Sequence, residues 1–237
     1  MRRVGEKNAT RNAGGWLLAL AVLTLFAAGC EKREERRSPP PPLPVADAAG
    51  LIVAMGDSLT AGLGVAPAEA WPALLQEALT AEGLNFRVIN AGVSGETSSG
   101  ARARTDWVLS FRPDIVILAT GGNDGLRGID PALTRRNIAE TVALLQEARV
   151  TVLLCGMRMV RNMGEEFNRA YAAIYPTVAT ETGVVFMPFL LEGVAMRPAL
   201  NQSDAIHPNP AGHRVIAANL LPHLREAISR HRRQPPR

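Results

Sequence analysis

The sequence predicts an α/β fold in three layers, with helices on both faces of a five-stranded parallel sheet. Two observations point there. Short apolar runs alternate with helix-spaced apolar residues from residue 51 to about 230. The turns rich in glycine and asparagine fall after the first three apolar runs, where a parallel sheet opens the C-terminal edge of its strands.

Leu51 to Met55 are five apolar residues in a row, fit for a strand buried on both faces. Gly56, Asp57 and Ser58 end it, so Ser58 stands just past the strand's C-terminal end. Over 70–81, Leu74, Leu75, Ala78 and Leu79 have helical spacing, and Pro72 is tolerated near the start. Phe86 to Asn90 is a second strand, and Asn90 to Gly95 a glycine-bearing turn. Thr97 to Ser110 reads as one helix with small residues early. Asp114 to Ala119 is a third strand announced by Pro113, and Thr120 to Gly125 a second glycine-rich turn. Thr134 to Ala148 is a helix with Ile138, Val142 and Leu145 on one face. Val150 to Cys155 is a fourth strand, followed by a loop rich in methionine and arginine, 156–164. A helix over 165–180, a short strand over 184–186, a long connection over 190–203 and a last helix over 210–230 complete the pattern.

The chain has 237 residues, 47% of them hydrophobic, enough for one globular domain with extensions. Its formal charge is +4, but Arg2, Arg3, Lys7 and Arg11 against Glu6 carry +3 of it. The remainder is near neutral, so no nucleic-acid partner is expected.

Residues 2–11 are basic, 16–28 are apolar but short for a membrane span, and Ala27, Ala28 and Gly29 precede Cys30. Residues 1–29 therefore read as a signal peptide whose end resembles the bacterial lipobox, with Ala27 where leucine is usual. The resemblance implies cleavage before Cys30 and lipidation there; an ordinary secretory signal is the alternative. Residues 30–49 are charged and then proline-rich, with four prolines over 39–42, as in an extended spacer. A folded domain over 50–230 and a solvated basic tail over 231–237 follow. The chain is expected to be exported to the periplasm, a monomer, held at a membrane through Cys30. Cys155 lies in an apolar strand and reads as core. No cysteine and histidine cluster has metal-ligand spacing, so neither metal nor cofactor is expected.

Ser58, Gly92 and Asn123 follow the first three strands, and Asp204 and His207 sit in the loop before the last helix. Each alone reads as turn chemistry; at one sheet edge they make a constellation. A serine hydroxyl needs a base to become a nucleophile. An imidazole near its neutral pKa can take that proton and return it to a leaving group. A carboxylate three residues earlier can orient the ring. The blocks Gly56-Asp57-Ser58-Leu59, Gly92, Gly121-Gly122-Asn123-Asp124 and Asp204-Ala205-Ile206-His207 resemble those of the SGNH (GDSL) hydrolase superfamily. Within it, the strings at 70–75, 121–128, 173–176 and 204–209 look most like the bacterial TesA-type enzymes, the acyl-CoA thioesterase I, lysophospholipase L1 or arylesterase group.

The resemblance implies a flavodoxin-like α/β/α sandwich and a serine esterase acting on carboxylic ester or thioester bonds of acyl substrates. Ser58 would be the nucleophile, His207 the base and Asp204 its orienter. The Ser58 and Gly92 N–H groups and the Asn123 amide would form the oxyanion hole, Gly92 because the chain must approach the substrate closely. Asp57 would hold the turn, Asp124 is structural, and His213 and His223 belong to the last helix. Met157, Arg158 and Met159 would border the acyl site, since methionines adapt to varied apolar shapes. Export favours lysophospholipids, lipid esters or small aryl esters over coenzyme A thioesters. An O-deacetylase or acyltransferase on envelope glycans is a second reading, and a non-catalytic lipid-anchored binding protein a third.

Overall fold

The computed structural model describes residues 48–158 and 163–235. The signal peptide, Cys30, most of the tether and Met159 lie outside the described residues.

Five strands, β1 (Gly50–Gly56), β2 (Phe86–Gly92), β3 (Ile115–Ala119), β4 (Thr151–Cys155) and β5 (Val185–Met187), form one sheet in the order β2-β1-β3-β4-β5. All four pairings are parallel. β1, β3 and β4 are buried along their whole length, as their unbroken apolar sequences require, while β2 and β5 at the edges are only partly buried.

The helices are α1 (Ser58–Ala61), α2 (Trp71–Ala81), α3 (Ser98–Ala103), α4 (Thr105–Ser110), α5 (Gly122–Leu126), α6 (Pro131–Glu147), α7 (Glu165–Thr182) and α8 (Pro210–Arg232). α2 packs with α8, while α6 packs with α3 and α7, giving a helical layer on each side of the sheet. The core is continuous through Ile52, Met55, Trp71, Ile117, Ile138, Tyr171 and Leu220, all nearly inaccessible. Cys155 is among these buried residues, and burial drives its thiol pKa far up, which leaves it inert.

Three local features differ from the sequence expectation. Ser58 opens a one-turn helix, because the Asp57 carboxylate caps it by accepting from the Leu59 N–H at 3.0 Å. The helix expected over 97–110 breaks at Arg104, which ends α3 and precedes α4. Gly92 is the last residue of β2 rather than part of a turn, in register with Gly56 of β1.

Candidate active site

The C-terminal edge of the sheet gathers the candidate residues. Ser58 is the first residue of α1 and is 8% exposed. Its Oγ is 2.8 Å from His207 Nε2, and His207 Nδ1 is 2.6 Å from Asp204 Oδ2. Asp204 Oδ1 also accepts the backbone N–H groups of Ile206 and His207 at 2.9 and 3.0 Å. The His207 backbone N–H first, and then its ring, hold the Asp204 carboxyl down at about 2. Asp204 is therefore an ionised acceptor at ordinary pH, so the proton between the two side chains belongs to His207 Nδ1. Nε2 is then the acceptor facing the Ser58 hydroxyl, the tautomer that can receive its proton.

The loop carrying Asp204 and His207 is closed on itself. Asn201 and Pro208 form an antiparallel bridge, and the Gln202 N–H donates to the His207 carbonyl at 2.8 Å. Ala205 takes a φ of 58° at its tip. Gln202 Nε2 also donates to the Leu63 carbonyl at 2.7 Å, tying this loop to the segment after Ser58. Asn209 caps α8 by accepting from Ala211 and Gly212, with Pro210 fitting the first helical position.

Asn123 lies in α5 beside Ser58. Its Nδ2 donates to the Glu96 carbonyl at 2.9 Å and makes a longer contact, 3.4 Å, with Asp57 Oδ2. Asp57 is almost fully buried, and that burial lifts its carboxyl to about 6. Gly92 is placed differently from the expectation. A Cβ there would lie 2.2 Å from Ala61 N and 2.6 Å from Ala61 Cα, so the close approach that demands glycine is to the backbone of α1. Its N–H donates to Asn90 Oδ1 at 3.0 Å. Asp124 is structural, as expected: its buried carboxylate accepts from the Ser98 N–H and hydroxyl at 2.8 and 2.5 Å. His213 is a core residue whose Nδ1 accepts from the Trp71 N–H at 3.3 Å, and burial lowers its pKa to about 4.

A cleft of about 130 Å³ opens at Ser58, Asn123 and His207. Its walls are mostly apolar and include Leu59, Leu126, Met157, Phe189, Met196 and Ile206. Met157 is almost fully buried, and Arg158 lies over the Phe189 ring at 5.0 Å and pairs with Glu192 at 3.8 Å. A wider, open hollow of about 480 Å³ at the other edge of the sheet is lined by Val150, Thr151, Val185 and Arg230 and holds none of these residues. Among the described residues, no group of three or more histidine, cysteine, aspartate or glutamate side chains could hold a metal.

Four supporting residues escaped the sequence reading. Tyr171 and Tyr175 of α7 donate to the Gly121 and Thr120 carbonyls at 2.7 and 2.8 Å, fixing the turn that presents Asn123. Their spacing of four on one helix face was the visible sign. Glu96, buried, and Arg104, partly buried, form an ion pair beside the same turn. An arginine set among Gly100, Ala101 and Ala103 hinted at it, since small neighbours leave room.

A sequence model described as the GDSL-like Lipase/Acylhydrolase family matches residues 54–215. "Esterase TesA" of Pseudomonas aeruginosa is 37% identical over 182 residues, which cover 76% of this chain and 90% of that protein. "Thioesterase 1/protease 1/lysophospholipase L1" of Escherichia coli strain K12 is 36% identical over 185 residues, 78% of this chain and 88% of that one. A crystal structure of TesA superposes with a TM-score of 0.72 at 36% identity, over 75% of this chain and 99% of that one. With a five-stranded sheet of the same kind and relatives this similar along nearly their whole lengths, the chain belongs to the GDSL (SGNH) lipase/acylhydrolase family and is an ester-hydrolysing enzyme.

Proposed function

We propose that Ser58 attacks the carbonyl carbon of an acyl ester and carries the acyl group as a covalent intermediate. The observation that bears most weight is the chain Ser58 Oγ to His207 Nε2 to Nδ1 to Asp204 Oδ2, with links of 2.8 and 2.6 Å. In the first half-reaction the serine proton moves to Nε2 as the Oγ–carbon bond forms. The tetrahedral oxyanion then collapses, the ester C–O bond breaks, and the departing alcohol leaves with the proton from Nε2. Water repeats the sequence on the acyl-serine and releases the carboxylic acid. Asp204 stays ionised throughout and stabilises the imidazolium. The oxyanion is met by the Ser58 N–H and the Asn123 amide; the Gly92 N–H is held by Asn90 Oδ1 and Gly92 does not line the cleft.

The apolar walls of the cleft, Met157 and Phe189 among them, support acyl esters such as lysophospholipids, other lipid esters or aryl esters as substrates. The relatives named esterase, arylesterase and lysophospholipase support the same class and do not favour glycan deacetylation or a non-catalytic role. The basic and apolar N-terminus ending before Cys30 supports export to the periplasm and a lipid anchor on that cysteine, with residues 50–230 as the catalytic domain. Among the described residues, no helix is long and apolar enough to cross a membrane.

Hydrolysis of p-nitrophenyl esters from acetate to palmitate tests the mechanism, with Ser58→Ala and His207→Ala alongside. Wild-type turnover with both variants reduced by at least about a thousandfold is expected. Turnover by Ser58→Ala at the wild-type rate would remove Ser58 from the mechanism. The chain-length optimum separates a small-acyl esterase from a lipid-directed enzyme. Mass spectrometry of the membrane fraction tests the anchor: an acylated Cys30 at the mature N-terminus supports it, and cleavage elsewhere with an unmodified cysteine overturns it.

A further inference from the structure

We propose that the largely buried Glu96–Arg104 ion pair is a positioning device that aims the Asn123 amide at the developing oxyanion; this rests on the oxyanion role given to Asn123 above. Arg104 grips Glu96 with two parallel bonds, Nε to Oε1 at 2.6 Å and Nη2 to Oε2 at 2.8 Å. Such a fork fixes angle as well as distance. The same Nη2 reaches the Gly56 carbonyl at 3.3 Å, two residues before Ser58. One guanidinium thus joins the end of the nucleophile's strand to the loop after β2.

That loop is the one that holds Asn123. The Glu96 carbonyl takes one Nδ2 hydrogen at 2.9 Å. A primary amide has two hydrogens in one plane, so engaging one aims the other, which here makes only the long 3.4 Å contact with Asp57 Oδ2 that a substrate oxyanion would displace. If Glu96 shifts, the amide turns with it. The backbone is shaped around the pair. A Cβ on Gly100 would lie 2.9 Å from Glu96 Cγ, so glycine leaves room for the glutamate. The helix breaks at Arg104, the residue whose side chain reaches back to Glu96 and Gly56.

The energetics argue that the pair serves position more than stability. The Glu96 side chain is 6% exposed and that of Arg104 16%. Arg104 Nη1 is buried with no hydrogen-bond partner among the described residues, although the guanidinium lies 5.8 Å from the Trp107 ring centre. Buried pairs with an unsatisfied donor are poor stabilisers, and apolar replacements of similar volume often fold as well or better. Stability and turnover should therefore separate when the pair is replaced.

The test measures p-nitrophenyl butyrate hydrolysis and thermal unfolding of the full chain. The variants are Arg104→Met, Glu96→Met/Arg104→Met, Asn123→Ala and Asn123→Ala/Arg104→Met. Arg104→Met is expected to lower kcat about tenfold or more with KM within about twofold, as a misaimed transition-state donor does. In the Asn123→Ala background the same change should cost less than about twofold, because there is no amide left to aim. The doubly apolar variant should regain the wild-type midpoint without regaining kcat, and it keeps the test open should Arg104→Met fold poorly. Wild-type kcat in the doubly apolar variant would overturn the proposal, as would a full multiplicative loss in the Asn123→Ala background. Wild-type kcat in Asn123→Ala itself would instead remove the oxyanion role and the proposal with it.

Discussion

At Gly92 a single methyl group would meet backbone. Its φ lies outside the left-handed region, so the constraint is space alone. Ala61, 2.2 Å from that Cβ, is three residues from Ser58, and relief would shift α1. Gly92→Ala is expected to lose about 1–3 kcal/mol of stability and a larger share of activity, read by urea unfolding and ester hydrolysis. A wild-type midpoint would show that α1 can give way. Asp57 and His213 make the stability depend on pH in opposite senses. The folded state raises Asp57 from 3.8 to about 6, so its contribution is fully present below pH 3.8 and is lost as pH rises through 6. It lowers His213 from 6.5 to about 4, so that contribution is present above pH 6.5 and is lost as pH falls through 4. Between pH 4 and 6 the two offset one another. Asp57→Asn should therefore be more stable than wild type at pH 7.5, by an amount on the order of 3 kcal/mol, and should keep the rise in stability with pH that His213 gives between pH 4 and 6.5. Equal midpoints for the two proteins at pH 7.5 would contradict this.

Among the elements, α7 does more than cover the sheet. It spans Glu165–Thr182 and buries Tyr171, Ile174, Tyr175 and Val178. Its two tyrosines hold the carbonyls at the end of β3, where Gly121 has a φ of 98° and a Cβ would lie 2.3 Å from Tyr175 Oη. Tyr171→Phe removes the 2.7 Å donor to the Gly121 carbonyl and leaves it only the Gly125 N–H at 3.2 Å, which should cost about 1 kcal/mol. It should also lower kcat, since the same turn presents Asn123. Differential scanning calorimetry and steady-state kinetics on one preparation check both. α3 and α4 are the opposite case, two short pieces where one helix was expected. Small residues early in 97–110 favour close packing and carry no signal for a break. The break falls at the residue whose side chain reaches back to Glu96, eight residues earlier, and to Gly56, 48 residues earlier, contacts that helical periodicity cannot register.

For the whole molecule, four separate chain segments converge on one sheet edge. Nothing in the described fold requires the residues before β1 for that convergence. Residues 48–237 alone should hydrolyse soluble short-chain esters with a kcat within about twofold of the longer protein, while losing any membrane association. A large drop in kcat would mean that the N-terminal segment takes part in the site. The alternation of apolar runs and helical spacing was enough to read the layers, the parallel sheet and its binding edge, because period and burial are local properties of sequence. The residue types at the ends of β1 and β3 and before α8 were legible for the same reason: a turn at a strand end needs glycine, asparagine or aspartate next to the functional group. Ser58 and His207 are 149 residues apart, and their 2.8 Å contact follows from packing that no spacing encodes. The tyrosine and arginine supports behind Asn123, the backbone pressed against Gly92 and the burial of Asp57 depend likewise on which surfaces meet. Local chemistry wrote the elements and named the reactive groups; distance, burial and hence charge state arose when the segments closed on one another.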